Sequence, residues 1–569
     1  MNLKTISKKS IAVWQRLMLV SLIALAGSFY HIGDFGFYED DFALVVPYLD
    51  SGAGAVLRNM VSAFAHWPQG RPLNHSLPQI FAWLGFLTGH FWGIYLLCAT
   101  VIVVNTLLIY QLIGKILGPF GAVVGALLFA LYPADTTRPF IVHAAHIQTG
   151  LTLSLIGLLL YHKDGWPRRV AYLVAATSLT AYESAFLPFL LGVPMLIFLD
   201  CGRGRRWAPM LKHFTVCTAL ISGLAILRLA LGESRAIAAL SDTGDTIWRS
   251  VSSLWIGPVT SIKAVVIALR EVSYAPTPWD IAVISLSALA VFGVLRSYAS
   301  GHSESTRCPT IHRLWIVWFG GVTMWVGSYG LSIINYPPDY LGGRLTSAHT
   351  PGAVGAAVAC AAKSQAVLNY PGSRGRLLLT GVISVFFACL VVNGLFIQRE
   401  YVATWEKEKQ FWSGLLEQVP DLRHDDVIVI TGRIAEKPRA ILVHSWADSL
   451  VLGQLVEFEN SDSSPVVFWT DRGFIPAETA FRREGDDILI RPREWLPDEQ
   501  KQVPAKTVLL RLAPDGLHRL EEITLPDGSK VHGRVLVPDA APSKWLSSFG
   551  DRMLGHARVP DQAADDRME

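Results

Sequence analysis

Three consecutive carboxylates, Glu39, Asp40 and Asp41, stand in the run HIGDFGFYEDDFALVVPYLD, directly after an apolar stretch and among aromatic residues. Carboxylates next to membrane-facing apolar surface are costly and tend to mark function. One such group can take a proton from a hydroxyl as a general base. The same acids also suit the start of a helix over 42–50, where free backbone N–H groups welcome negative charge. The two roles are compatible, because a helix start holds a catalytic acid rigidly. Further along, GRPLNH supplies Arg71, with His66 and His75 nearby. A guanidinium fork can grip a lipid phosphate through two hydrogen bonds. It can equally neutralise the acids or meet lipid headgroups.

The next polar run between apolar segments reads YPADTTRPFIVHAAHIQTG. It carries Asp135 and Arg138 near its start. His143 and His146, three apart, share one face of the following helix, with Gln148 close behind. A histidine pair at this spacing can bind metal, although hydrogen-bonded packing is the commoner use. Glu183 in TAYESAFLPF needs a partner or a cavity, and pairing with an arginine is its plainest role. NYPPDYLGGRLTSAHTPG contributes Asp339 and Arg344, the latter a second candidate for a phosphate clamp or an interfacial anchor.

Long apolar elements must position these residues. Of 569 residues, 51% are hydrophobic and 17% charged, against ~25% charge in soluble domains. Mean hydropathy is +0.36. The charge deficit lies almost wholly before Gln398. Runs near 12–30, 91–113, 118–133, 139–161, 168–184, 185–200, 213–232, 279–297, 313–333, 345–363 and 376–397 suit spanning helices of roughly 20 residues each. The run 255–270 carries Lys263 and suits the interface or a dip into the membrane. Lys4, Lys8 and Lys9 precede the first run, and alternate loops are basic: Lys163, Arg168 and Arg169; Arg203, Arg205, Arg206 and Lys212; Arg296, Arg307 and Arg313; Lys363, Arg374 and Arg376. The positive-inside rule then places the N-terminus in the cytoplasm and residues 398–569 outside. The first run, Leu17–Phe29, lacks a clean cleavage site at its end and reads as a retained helix rather than a signal peptide. The acids, histidines and arginines gather at the outer mouth of the bundle, whereas a transporter or channel more often places ionisable groups at mid-depth.

The fold class is therefore an α-helical polytopic membrane protein of about eleven spans with a small C-terminal soluble α/β domain. Its parts are a membrane domain over 1–397, a linker helix over 398–425, an extracytoplasmic domain over 426–554 and a disordered tail over 555–569. Within 402–418, Trp405, Phe411, Trp412, Leu415 and Leu416 form an apolar helical stripe that Pro420 ends. Short β-like runs follow at 426–430, 440–444, 465–469, 487–491 and 507–512, then a hairpin turning at Asp527-Gly528. All six cysteines precede this domain, which therefore holds no disulfide. A net charge of +3 without a basic–aromatic cluster argues against nucleic acid as a partner.

Tyr38-Glu39-Asp40-Asp41 after the first helix, GRPL at 70–73, YPADTTRPF before a His/Gln-bearing helix, YES followed by LP, GGR at 342–344 and the helix QREYVATWEKEKQFWSGLLEQVPDL resemble, in order and sidedness, the glycosyltransferase C superfamily, GT-C. The resemblance covers most of residues 1–425. It implies a bacterial inner-membrane glycosyltransferase, bound among membrane lipids. The donor would be a polyprenyl-phosphate sugar and the acceptor an extracytoplasmic glycan, lipid or protein. It further implies Asp41 or Asp40 as base, with inversion at the anomeric centre. Arg344 with Arg71 or Arg138 would hold the phosphate. Glu39, His143 and His146 would meet acceptor or metal, with His75, Gln148 and Glu183 also lining the substrate site. A divalent metal cofactor, Mg or Mn, stays open. A flippase of lipid-linked glycans, or a non-catalytic scaffold, is the rival reading of the same outer-surface charge.

Overall fold

A computed structural model describes residues 3–200, 206–274, 277–300, 309–331, 343–369, 373–432, 448–458, 465–469, 481–484, 487–490, 501–504, 507–524, 528, 530–535 and 544–554. The chain is mostly helical and divides into two compact units. One comprises Met1–Phe35 and Asp50–Glu400; the other comprises Gly36–Leu49 and Tyr401–Glu569.

In the first unit, long apolar helices pack around one continuous core that includes Ile109, Phe120, Leu127, Leu155, Phe189, Val193, Val354 and Val358. Seven helices among the described residues are long and apolar enough to cross a membrane: Pro72–Leu117, Ile141–Tyr161, Glu183–Asp200, Trp207–Ala230, Thr243–Val272, Pro278–Ser297 and Arg374–Gln418. These make the chain an integral membrane protein. Trp14–Phe29 and Pro119–Ala130 are apolar but shorter. The runs read at 168–184, 313–333 and 345–363 become Trp166–Leu179, Ile311–Gly327 and Thr350–Asn369. The run 255–270 belongs to the 32-residue helix Thr243–Tyr274 and is long enough to cross rather than dip. Small residues let helices approach closely. A Cβ at Gly355 would strike the backbone of Met324 and Trp325, and one at Gly394 would strike Gly27.

The run 31–90 is not an open loop. It folds into a helix Ala53–His66, and a second helix begins at Pro72. That helix breaks at Gly89 and His90, whose φ/ψ leave the helical region, before its membrane-length half resumes. Pro72 supplies the N-terminal signature of its helix, since a first-turn proline loses no hydrogen bond.

The second unit carries a four-stranded sheet in the order Val466–Trp469, Val427–Thr431, Val508–Ala513, Gly516–Leu520. The first three are mutually parallel and the last is antiparallel. Val427, Val429, Phe468, Leu509, Ile523 and Val531 build its core. Strands Glu522–Thr524 and Lys530–His532 pair antiparallel, with Gly528 at φ +82° between them. The hairpin expected around Asp527-Gly528 is thus formed. The strand read at 440–444 and the tail 555–569 lie outside the described residues. The expected linker is not a separate element, for Ser373–Gln418 is one 46-residue helix. Its apolar half belongs to the first unit, and residues from Tyr401 onward belong to the second.

Candidate functional site

The acidic triplet lies in the second unit. Gly36–Leu49 opens on two aromatic residues, Phe37 and Tyr38, both almost completely buried. The Tyr38 hydroxyl accepts from the Gly36 N–H at 3.2 Å and donates to the Tyr401 carbonyl at 3.0 Å. The backbone then turns through Glu39 at φ +44°, a left-handed conformation that costs an ordinary residue energy and persists only where its surroundings enforce it. Asp40 occupies the N-cap position of the short helix Asp41–Leu44 but has helical φ/ψ and makes no side-chain cap bond. The Asp41 carboxylate instead accepts from the Tyr38 N–H at 3.1 Å. The helix expected over 42–50 stops at Leu44. Pro47 has no N–H to donate to the Ala43 carbonyl, and only a 3-10 turn, Val46–Tyr48, follows. Glu39 is 3% and Asp41 0% exposed, whereas Asp40 is half-buried. Burial holds the Tyr38 phenol well above its ordinary pKa, with nearby carboxylates adding to the rise, so it acts as a donor and not a phenolate.

In the first unit the cations and histidines form a separate cluster. Arg71 grips Glu183 with both arms, Nε to Oε1 at 2.9 Å and NH2 to Oε2 at 2.7 Å. Arg228 pairs with the same carboxylate through Oε1 and donates to the Gly70 carbonyl at 3.2 Å. The Arg71 guanidinium lies over the Tyr182 ring, 4.6 Å from its centroid. Burial alone would lower the Arg71 pKa, but Glu183 outweighs it and holds the group charged. The His146 ring packs 5.6 Å from Tyr182 and 5.7 Å from His143. Arg71 and His75 lie within electrostatic reach of His146. The histidines sit where the helix widens into a π turn, Ala144–Gln148, a departure frequent at functional sites. Gln148 has a packing role, since its side-chain and backbone oxygens accept from Asn105 Nδ2 at 3.0 and 2.9 Å.

A third group joins two stretches far apart in sequence. The Asp135 carboxylate accepts from Thr137 N–H and Oγ1 and, through its other oxygen, from Thr350 Oγ1 at 2.7 Å. Thr136 and Thr346 hydroxyls pair at 2.9 Å. These bonds fix the turn Arg344–His349, which follows Gly343 at φ +71°. Arg138 is spent differently. Its guanidinium donates to the carbonyls of Phe129 and Ala130, the last of the helix Pro119–Ala130, and to Ser28 Oγ at 2.9 Å. It thereby caps a helix C-terminus, where a cation meets the negative dipole end. A small cleft of about 20 Å³ beside it is lined by Ser28, Asp135, Arg138, Asn393 and Gln398, among others.

Arg71, His75, His143, His146 and Glu183 thus gather, and the Asp135 stretch meets the Arg344 turn. Asp339 lies outside the described residues, and His66 bonds back within its own helix to Ser62. Arg228 escaped the sequence reading. Its signal was a lone arginine at the end of an apolar helix opposite the basic loop 203–212. Among the described residues no three His, Cys, Asp or Glu side chains are arranged to hold a metal ion. No protein-family model, no curated protein and no solved structure matches this chain.

Proposed function

We propose that the protein is a membrane glycosyltransferase that moves a sugar from a polyprenyl-phosphate donor to a hydroxyl of an extracytoplasmic glycan, lipid or protein. Its N-terminus would lie in the cytoplasm and its second unit outside, as the loop charges suggest for a bacterial inner membrane. The observation that supports this most is the acidic turn. A strained Glu39 and a buried Asp41 present the half-buried Asp40 rigidly, in a geometry that capping does not require. Asp40 takes the base role, because the Asp41 carboxylate is inaccessible and engaged with Tyr38 N–H. The acceptor oxygen attacks the anomeric carbon as its proton passes to Asp40. The bond from that carbon to the phosphate oxygen breaks, and its electron pair leaves with the phosphate. Phosphate is already a good leaving group, so cations suffice to stabilise it.

A transfer assay with a panel of radiolabelled polyprenyl-phosphate sugars and membrane-derived acceptors tests this reading. Asp40→Asn should lower transfer by ~10²- to 10⁴-fold with donor binding retained, the usual scale for losing a general base. Transfer at the wild-type rate in Asp40→Asn removes Asp40 from the base role. Failure of the folded wild type to bind or use any donor in the panel moves the weight to transport or scaffolding.

A further inference from the structure

The second unit closes around the acidic turn. A Cβ at Gly36 would run into the Trp405 ring, so only glycine lets that ring lie against the backbone. Phe37 meets Trp405 at 6.2 Å and Phe549 at 5.7 Å, Phe42 meets Phe549 at 6.2 Å, and Tyr38 stands edge-on to Tyr401 at 5.0 Å. Behind this aromatic cage lies Glu408, 2% exposed, on the helix that also carries Tyr401 and Trp405. Its Oε2 has no hydrogen-bond partner. The charged groups that face it are carboxyls: Glu39 and Asp41 from the turn, and Asp448, 1% exposed, from the helix Asp448–Leu455. On its own helix Glu406 pairs with Lys409 at 2.7 Å. Asp551 and Arg552 on the helix Ser548–Leu554 are exposed, and the nearby Tyr38 phenol, held un-ionised by burial, donates to the Tyr401 carbonyl. A buried carboxylate with an unmade hydrogen bond beside like charges is among the costliest arrangements a fold can hold.

We propose that the second unit is a proton-dependent clasp on the acidic turn: protonated Glu408 lets the cage close, and loss of that proton adds a negative charge beside Glu39, Asp41 and Asp448 and loosens the turn. The direction follows from linkage. Burial first, then Asp448, Glu39 and Asp41, push the Glu408 carboxyl well above the ordinary carboxylate range. A group whose folded pKa is raised contributes stability that is fully present below its unfolded value and is lost as pH rises through the folded value. The clasp is therefore tight at low pH and opens as pH rises. This inference concerns the turn and its holder, and it stands whether or not the protein transfers sugar.

Hydrogen exchange of residues 36–49 in the full-length protein in detergent, corrected for intrinsic exchange, reads the clasp directly. Above the ordinary carboxylate range the wild-type protection should fall ~tenfold per pH unit, the slope of one linked proton, and level off at a transition where the closed-state carboxyl itself ionises. Glu408→Gln imitates the protonated acid and should keep the turn protected throughout. Asp448→Asn removes one facing charge and should move the transition to lower pH. A flat wild-type profile overturns the proposal, as does a Glu408→Gln profile with the wild-type slope. Should Glu408→Gln not fold, Asp448→Asn decides alone, and an unmoved transition overturns the proposal.

Discussion

In the first unit Glu183 sits between Arg71 and Arg228, two cations on one anion, with side-chain exposures of only 12–17%. In the second, Glu408 sits among Glu39, Asp41 and Asp448, four acids with no more than 3% exposure each. Both units bury charge, but one compensates it and the other concentrates it. The arrangements respond oppositely to loss of a carboxylate. Removing the centre of a compensated cluster strands its partners, whereas neutralising one member of a like-charge cluster relieves its neighbours. Function can draw on either, since a pair of arginines holding excess positive charge suits an anion, and crowded acids suit proton exchange.

The largest expected effect is therefore Glu183→Ala, which leaves Arg71 and Arg228 buried without a counter-ion. Breaking such a buried arrangement costs ~3–5 kcal/mol, and thermal unfolding in detergent should show a large fall in Tm. A change within the scatter of surface substitutions would mean that the triad is hydrated and not compensated as drawn. Glu408→Gln sharpens the contrast by sign. Above the pH at which the unfolded carboxyl ionises it should raise Tm, and below that pH, where both states are protonated, it should change little. A uniform destabilisation at every pH would show instead that Glu408 is held by bonds an amide cannot make.

Glu39→Gly, measured beside Glu39→Gln, which removes the same charge but keeps the side chain, separates strain from charge in the second unit. Glycine adopts φ +44° without penalty, so the variant should gain about 1 kcal/mol of stability while the turn keeps its path. If Glu39 serves the proposed reaction, transfer should fall even as Tm rises. A fall in both would make Glu39 a packing residue whose buried side chain outweighs its strained backbone.

The difference between the units also explains what the sequence could and could not disclose. The acidic triplet, Arg71, His143, His146 and Glu183 were legible because charge in an apolar chain is conspicuous wherever it lands. Their partners were not, because Arg71 and Glu183 stand 112 residues apart and Arg228 belongs to yet another helix. Periodicity says which face of a helix is polar but not which helix that face meets. Arg138 looked like a phosphate ligand by type, yet it caps Phe129 and Ala130, a role set by local geometry that the residue type does not reveal. The split at 397/398 followed a change in hydropathy; the helix Ser373–Gln418 runs through it because nothing between Phe396 and Tyr401 breaks a helix, yet the two compact units divide close by, between Glu400 and Tyr401. The parallel pairing of Val427–Thr431 with Val466–Trp469 and Val508–Ala513 depends on crossovers that strand-by-strand reading does not supply. Nor could it show that Phe37 and Phe42 meet Phe549, some five hundred residues downstream.

The smallest expected effect tests whether burial, and not mere pairing, underlies the comparison. Arg168 meets Asp164 at 2.7 Å one turn away, a contact as short as that between Arg71 and Glu183, but Asp164 is 92% exposed. Water solvates both partners, and holding two long side chains in one geometry offsets most of the Coulomb gain, so such pairs contribute ~0.2–1 kcal/mol at most. Arg168 also lies over the Tyr161 ring, 5.0 Å from its centroid, and donates to the Tyr161 carbonyl, and neither contact needs Asp164. Asp164→Asn should therefore shift stability by no more than ~0.5 kcal/mol, and added salt should shrink even that. Measured beside Glu183→Ala on the same thermal-unfolding scale, it sets the exposed limit of a series whose buried limit is the arginine triad. Similar losses from the two variants would mean that pair geometry, and not desolvation, governs how this protein holds its charges, and the contrast between the two units would lose its physical basis.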